Sequence, residues 1–308
     1  MPIEPQPWPS FVVFGEALTD LVRVDAQTWR SVAGGSCWNV ARVAATLGMP
    51  SAWAGAVGDD PFGRDILELT ETAGLDMRFA QRVAKPPLLA IVHETHPPQY
   101  FFVGNDAADL AFDEARLPKG WESHCRAAHF GCISLVREPL GSRLERIAQT
   151  LSARGTLISF DPNHRNLMGP DYRVQFERLA AYADVIKISD EDAAGIYPEL
   201  APADVIARLR QQRPDASLLY TRGSDGLSLY RRGEHFEQRA FAVKVADTVG
   251  AGDACLGAFV CSLLSSPDAD PATHLRYAAA TAALVCTRSG AYAPSDAQVR
   301  QLMAEQAI

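Results

Sequence analysis

The chain has 308 residues, 47% of them hydrophobic and 21% charged, the composition of an ordinary globular protein with a sizeable core. A net charge of −8, from 29 basic and 37 acidic residues, excludes a general nucleic-acid binder, though not an anionic nucleotide, whose phosphates are held locally by backbone N–H groups and helix ends. With no apolar run near the roughly 18 residues of a membrane span, no signal-like segment in Met1–Pro7 and six scattered cysteines that read as reduced, a cytoplasmic protein without a membrane partner is expected.

The apolar run Phe11–Phe14, stopped by Gly15, reads as a buried first strand. Leu21–Val24 alternates and leads to Gly34-Gly35, predicting a second strand. Asn39–Leu47 is Ala-rich with helical spacing and ends at Gly48, a natural C-terminal glycine. Ser51–Val57 is the next strand, and Pro61–Ala73 a helix closed by Gly74. Leu88–His93 and Gln99–Val103, separated by Pro97-Pro98, predict a hairpin. Strands then fall at Ala127–Gly131, Thr156–Phe160, Val185–Ile188 and Ser217–Thr221, alternating with helices at Arg143–Arg154, Tyr172–Ala181 and Ala203–Arg213. Asp190-Glu191-Asp192 is an acidic run opening a helix, where the dipole favours it. A second hairpin-like pair, Leu227–Tyr230 and His235–Ala240, precedes Asp247, and two helices follow near Ala251–Ser265 and Thr273–Thr287.

Such alternation implies an α/β fold, with a mainly parallel sheet covered on both faces by helices. No linker or repeat divides the chain, so residues 1–308 are read as one domain. The early β-rich segments, 18–34 and 88–104, fall outside the alternation and are candidates for a small lid sheet over a site.

The most informative stretch is Asp247-Thr-Val-Gly250-Ala251-Gly252-Asp253, which opens a helix. Its glycines allow tight turns, and the helix directs unpaired N–H groups and its positive dipole end at the same spot. That makes an anion site suited to a phosphate gaining charge during transfer. Alone, Asp253 reads as readily as a capping carboxylate. Gly257 and Ala258 keep the helix slim beneath the site and favour the functional reading.

Asp247–Asp253 resembles a signature of the ribokinase-like family of carbohydrate kinases. Gly34-Gly35-Ser-Cys-Trp-Asn39-Val-Ala41, with Leu47-Gly48 and Gly55-x-x-Gly58-Asp59-Asp60-x-x-Gly63, resembles that family's other signature. Gly15–Asp20 resembles its opening strand, and Thr221-Arg-Gly223-Ser-Asp-Gly226 its nucleotide loop, so the likeness runs over residues 11–295. The resemblance implies a three-layer fold with a β-lid that often serves as a dimer interface, hence a homodimer. It also implies ATP as phosphate donor, Mg²⁺ bridging the phosphates, and a sugar or nucleoside hydroxyl as acceptor. By match, Asp253 takes the acceptor's proton, and the amides of Gly250, Ala251 and Gly252 form the anion hole. Phosphoryl transfer depends mostly on such positioning and charge stabilisation. The sugar end maps onto Asp20, Gly34, Gly35, Asn39 and Arg165. The nucleotide end maps onto Ser189, Thr221, Gly223, Ser224, Gly226 and Gly252. Ser189 and Asp192 resemble a motif that orders Mg²⁺-bound water. Several members hold a monovalent cation, K⁺ for instance; the matching positions are Asp247, Val249, Val285, Arg288 and Gly290, mostly through carbonyl oxygens.

Asp161-Pro162-Asn163-His164-Arg165 resembles a segment of fructokinases and 2-keto-3-deoxygluconate kinases, and the Gly15–Asp20 opening is most similar to fructokinases. The resemblance therefore implies fructose phosphorylated at C6, with 2-keto-3-deoxygluconate or a nucleoside as other acceptors and a non-catalytic sugar sensor as the non-enzyme reading. Intact Gly250, Gly252 and Asp253 oppose the sensor. Three positions depart from the pattern. Cys37-Trp38 stand where small residues are common, and Trp38 is placed to stack on a sugar or fill the pocket. The hairpin lacks an arginine, with Val103 or Gly104 in its place, and Ala279 replaces an asparagine often found near adenine. His93 and His96 have a spacing open to metal ligation but lie in a strand and turn, and are not read as a site.

Overall fold

The computed structural model describes residues 7–95, 98–165, 167–169 and 171–306. In chain order the strands are β1 (Phe11–Phe14), β2 (Leu18–Arg23), β3 (Trp29–Gly34), β4 (Ser51–Gly58), β5 (Ala80–Val83), β6 (Leu89–Thr95), β7 (Pro98–Val103), β8 (Ala127–Gly131), β9 (Leu157–Asp161), β10 (Val185–Ser189), β11 (Ser217–Thr221), β12 (Leu227–Arg231) and β13 (Glu234–Gln238). The helices are α1 (Ser36–Thr46), α2 (Pro61–Thr72), α3 (Leu140–Ala153), α4 (Tyr172–Ala180), α5 (Asp190–Ile196), α6 (Pro202–Gln212), α7 (Ala251–Ser265), α8 (Pro271–Val285) and α9 (Asp296–Glu305).

A nine-stranded sheet runs β13-β12-β11-β10-β9-β8-β1-β4-β5, with the β11–β12 and β12–β13 pairs antiparallel and every other neighbouring pair parallel. Its inner strands are largely apolar because both faces are covered, with His129, Ser159, Asp161 and Lys187 as buried polar exceptions. Along β1, Val12 and Phe14 join a core with Leu144 of α3, Phe176 of α4 and Val205 of α6. Phe11 and Val13 join the opposite core, with Val40 of α1, Phe259 of α7 and Ala278 of α8. Local chemistry sets the helix ends: Asp60 caps α2 through the Gly63 amide (3.0 Å) with Pro61 at its first position. Among the described residues no helix is long and apolar enough to cross a membrane.

A separate four-stranded sheet, β3-β2-β6-β7, is built from the two early β-rich segments. Register and alternation put Asp20, Val32, Ala90, Val92, Tyr100 and Phe102 on one face and Leu21, Ser31, Ile91 and Phe101 on the other. The first face looks toward the main body, since a Cβ on Gly290 would lie 4.0 Å from Val32. The second exposes Trp29, Phe101 and Val103.

Several boundaries differ from the sequence-based expectation. The segment 18–34 is a hairpin of two strands rather than one strand at Leu21–Val24, its turn closed by Asp25 accepting from the amides of Gln27 and Thr28 (both 2.8 Å). Helix α1 begins at Ser36, three residues before the expected start, because Gly35 (φ +115°) ends the strand and turns the chain. β5 and α9 were not expected: β5 is a four-residue edge strand of mixed polarity, and α9 buries only Val299 and Leu302. His96 and Pro97 lie outside the described residues.

Candidate active site

The chain exits of β1, β9, β10 and β11 and the starts of α1, α5 and α7 converge at the carboxyl edge of the large sheet, where open α/β folds bind ligands. Gly250 adopts a left-handed conformation (φ +80°) that turns the chain into α7, and the next turn carries Asp253 inward, buried. Amides in that first turn have no intrahelical acceptor. One of them, Ala251 N–H, donates back to the Thr248 carbonyl (3.2 Å).

The Asp253 carboxylate is held from across the molecule. Ser36 Oγ donates to Oδ1 (2.7 Å), Asn39 Nδ2 donates to Oδ2 (2.9 Å), and Asn163 Nδ2 lies 3.4 Å from Oδ1. Burial pushes its pKa above the usual carboxylate value, while those hydrogen bonds and the charges of Lys187 and Arg165 pull it back. Ser36 and Asn39 reach it because both sit on the first turn of α1, directly after Gly34-Gly35.

The expected sugar-side residues gather around this point. A Cβ on Gly34 would lie 2.7 Å from Asp20 Oδ2 and would push that carboxylate aside, while one on Gly35 would lie 2.7 Å from the Glu16 carbonyl, where backbone leaves no room. Burial raises the Asp20 pKa to about 6, with the Arg165 guanidinium opposing. Arg165 spends one N–H on the His164 carbonyl (2.8 Å) and lies within electrostatic reach of Asp20, Tyr100, Asp192 and Asp253. Glu16, buried at the β1 exit, accepts from the Ser36 amide (3.1 Å) and from the Ser134 hydroxyl, while its own amide donates to Ser134 Oγ (2.7 Å). Burial pushes its pKa up as well.

Beneath the site lies a buried charge cluster. Lys187 of β10 reaches Asp161 Oδ2 (3.0 Å) and Asp192 Oδ2 (3.6 Å). Burial works against the lysine's charge, but Asp161, Asp192 and Asp253 outweigh it and raise its pKa. Asp192 accepts from the amides of His164 (2.7 Å) and Ser189 (2.9 Å), while Ser189 caps α5 through the Asp192 amide (3.0 Å). Asp161 accepts from the Asn163 amide (3.0 Å), so the 161–165 loop is pinned at both ends.

Of the residues expected on a nucleotide side, Ser189 and Thr221 are register partners on β10 and β11. The exposed turn Gly223–Asp225 follows, and Gly226 (φ +89°) passes so close to β13 that a Cβ would meet the Gln238 carbonyl at 2.2 Å. Asp247 bridges two loops, accepting from the Val249 (3.1 Å) and Gly290 (2.9 Å) amides, and the Val285 carbonyl accepts from Arg288 N–H (3.3 Å). The five expected cation positions therefore form one loop pair beside the start of α7. Among the described residues, no three of His, Cys, Asp and Glu cluster as a metal site.

One expectation needs correction. Trp38 neither faces a sugar nor lines the pocket: it is fully buried, donates to Thr70 Oγ1 of α2 (2.9 Å), and carries the Arg42 guanidinium 4.4 Å above its ring. Near the hairpin position without an arginine, a guanidinium approaches from elsewhere in the chain. Arg137, just past β8, donates to Asp109 (2.6 and 3.0 Å) and to the Gly104 carbonyl (2.6 Å), and a Cβ on Gly104 would lie 3.3 Å from its Nη2. Ala279 is buried in the core beside α7. Ser36, Glu16, Tyr100 and Lys187 were not singled out from the sequence. Lys187 alone left a sign there, a charge inside an otherwise apolar strand.

The sequence profile of the pfkB family carbohydrate kinases matches residues 9–298. The chain is 29% identical to fructokinase-1 of Zea mays over 316 aligned residues, covering 95% of this chain and 97% of that one. It is 32% identical to probable fructokinase-7 of Arabidopsis thaliana over 276 residues, 84% of this chain and 79% of that one. Its fold is similar to the crystal structure of a fructokinase with bound ATP from Xylella fastidiosa, with a TM-score of 0.87 at 26% identity over 97% and 99% of the two chains.

Proposed function

Since the chain belongs to the pfkB family of carbohydrate kinases, we propose that it transfers the γ-phosphate of ATP to the C6 hydroxyl of D-fructose, with Asp253 as general base. The observation that carries this reading is the double tie on Asp253. One buried carboxylate at the start of the phosphate-facing helix is bonded to Ser36 and Asn39 of the sugar-side turn. A hydroxyl approaching it meets a base on one side and the helix dipole on the other. Names of the relatives and of the ATP-bound neighbour supply the substrate pair.

In this reading Asp20, Asn39 and Arg165 hold the sugar's hydroxyls, and Gly34 and Gly35 let it lie against the backbone. Asp253 accepts the proton of the attacking hydroxyl. The amides of Gly250, Ala251 and Gly252 take up the charge of the transferring phosphate, Ala251 after giving up its bond to Thr248. Ser189, Thr221, Gly223, Ser224, Gly226 and Gly252 line the path of ATP. Mg²⁺, carried on the ATP phosphates, supplies charge neutralisation there. Asp192, whose oxygens already accept two backbone amides, would help hold Mg²⁺ through water rather than by direct ligation. Asp247, Val249, Val285, Arg288 and Gly290 would hold a monovalent cation such as K⁺ through carbonyl oxygens. A cytoplasmic setting suits ATP and six free cysteines. The apolar outer face of the small sheet, with Trp29, Phe101 and Val103 exposed, supports a homodimer through that face; monomeric sedimentation would refute it.

Arg165 favours one second reading, because a guanidinium beside the sugar would pair with the carboxylate of 2-keto-3-deoxygluconate. A coupled ADP assay over fructose, 2-keto-3-deoxygluconate, ribose, adenosine and inosine separates the candidates. Fructose should give the largest kcat/KM, and Asp253→Asn should lower kcat by about 10²–10⁴-fold. Near-normal turnover in Asp253→Asn would remove Asp253 as the base, and faster turnover of another acceptor would replace fructose.

A further inference from the structure

Lys187 has only 4% of its surface exposed, yet its ammonium reaches the underside of the first turn of α7. A Cβ placed on Gly252 would lie 3.2 Å from its Nζ. In an α-helix the Cα–Cβ bond leans toward the N-terminus, so the ammonium stands on the side to which the unpaired amides of that turn point. Behind it, Asp161 (3.0 Å) and Asp192 (3.6 Å) hold it in place, and each is itself fixed by backbone amides. The surrounding carboxylates keep it ionised despite its burial. A charge so placed is shielded from water and acts at greater strength than one in solvent.

We propose that Lys187 is a positioning residue for phosphoryl transfer, an electrostatic floor whose charge acts through the side-chain gap at Gly252 on the γ-phosphate. On this view Gly252 lacks a side chain to give that charge its approach, as well as to free the helix start. The proposal rests on reading residues 250–252 as the phosphate site. It assigns Lys187 a preference for the nucleotide with a third phosphate. A lysine serving only to pin the 161–165 loop would show no such preference.

The test compares Lys187→Met, Lys187→Arg and the double variant Lys187→Gln/Asp161→Asn, which removes the buried pair together and so keeps the fold if Lys187→Met alone does not. Calorimetry in Mg²⁺ measures affinity for ADP and for the β,γ-imido analogue of ATP, and steady-state assays on the folded fraction give kcat and the fructose KM. Lys187→Met, or the double variant in its place, should lose about tenfold or more in affinity for the imido analogue while ADP changes less than about threefold; kcat should fall about 30–100-fold with the fructose KM nearly unchanged. Lys187→Arg should recover part of both losses. Equal changes for the two nucleotides, or a kcat within about threefold of the parent, would overturn the proposal. Asp253→Asn is measured alongside. If it stays active, the reading of the site fails; if it is inactive while the nucleotide preference of the Lys187 variants is unchanged, only the role of Lys187 fails.

Discussion

Replacing Arg137 with methionine removes the clamp that joins the small sheet to the large one. Its guanidinium forks onto Asp109 (2.6 and 3.0 Å) and holds the Gly104 carbonyl (2.6 Å), with side-chain exposures of 11% and 2% for Arg137 and Asp109. Removing one partner of a buried pair costs about 3–5 kcal/mol, because the other charge stays buried and unpaired. Arg137 retains some contact with water, so the low end, about 3 kcal/mol, applies here. At an unfolding entropy of about 2.1 cal/mol/K per residue, the 308 residues convert that into a Tm lower by about 5 °C. Arg137→Met/Asp109→Leu removes both charges and should recover at least about half the loss, a coupling visible in a four-variant melting cycle. Because Gly104 directly follows β7, which carries Tyr100, loosening the clamp should raise the fructose KM of Arg137→Met about 3–10-fold while kcat at saturating sugar stays within about twofold. Melting of all variants within about 1 °C of the parent, or a double variant losing the sum of the singles, would refute the reasoning.

Ser36→Ala removes a donor to the ionised form of Asp253, whose pKa burial already raises, so that pKa climbs further and the acidic limb of kcat/KM moves to higher pH. Activity on the acid side should fall about tenfold, the worth of one hydrogen bond to a charge, with little loss at alkaline pH; an unmoved limb in the pH–rate profile contradicts the assignment. Asp20, with its folded pKa raised from 3.8 to about 6, binds more protons native than unfolded between those values, so it lowers stability as pH rises through that window. Asp20→Asn should therefore melt higher than the parent at pH 7 by about 1–2 kcal/mol and no higher at pH 4, while losing sugar affinity; melts at the two pH values check this. In Gly34→Ala the new Cβ, 2.7 Å from Asp20 Oδ2, forces the carboxylate aside. Its fructose KM should rise about tenfold with Tm nearly unchanged, and an unaltered KM would place the sugar elsewhere.

Much of this protein could be read from its chain order. The buried run Phe11–Phe14, the glycines closing the helices, and Gly250–Asp253 at a helix start follow from backbone preferences and spacing that neighbouring residues settle among themselves. Alternation of strand and helix then led to a parallel sheet covered on both faces. Weak local signals failed: β5 is short and mixed in polarity, and α9 has too few buried residues to show a stripe.

What the tertiary structure alone decided concerns partners far apart along the chain. Ser36 and Asn39 meet Asp253 across 217 and 214 positions, and that meeting is what supports the proposal of a base over a cap. Trp38, which the sequence reading set against a sugar face or in the pocket, went to the core, where its indole N–H donates to Thr70. Arg137 reached the Gly104 carbonyl from beyond β8, and Lys187, one charge in an apolar strand, found its place under Gly252. Spacing along a chain specifies turns and periodicity, whereas these contacts depend on which strand lies beside which, and strand order is set by the packing of two cores on opposite faces of one sheet.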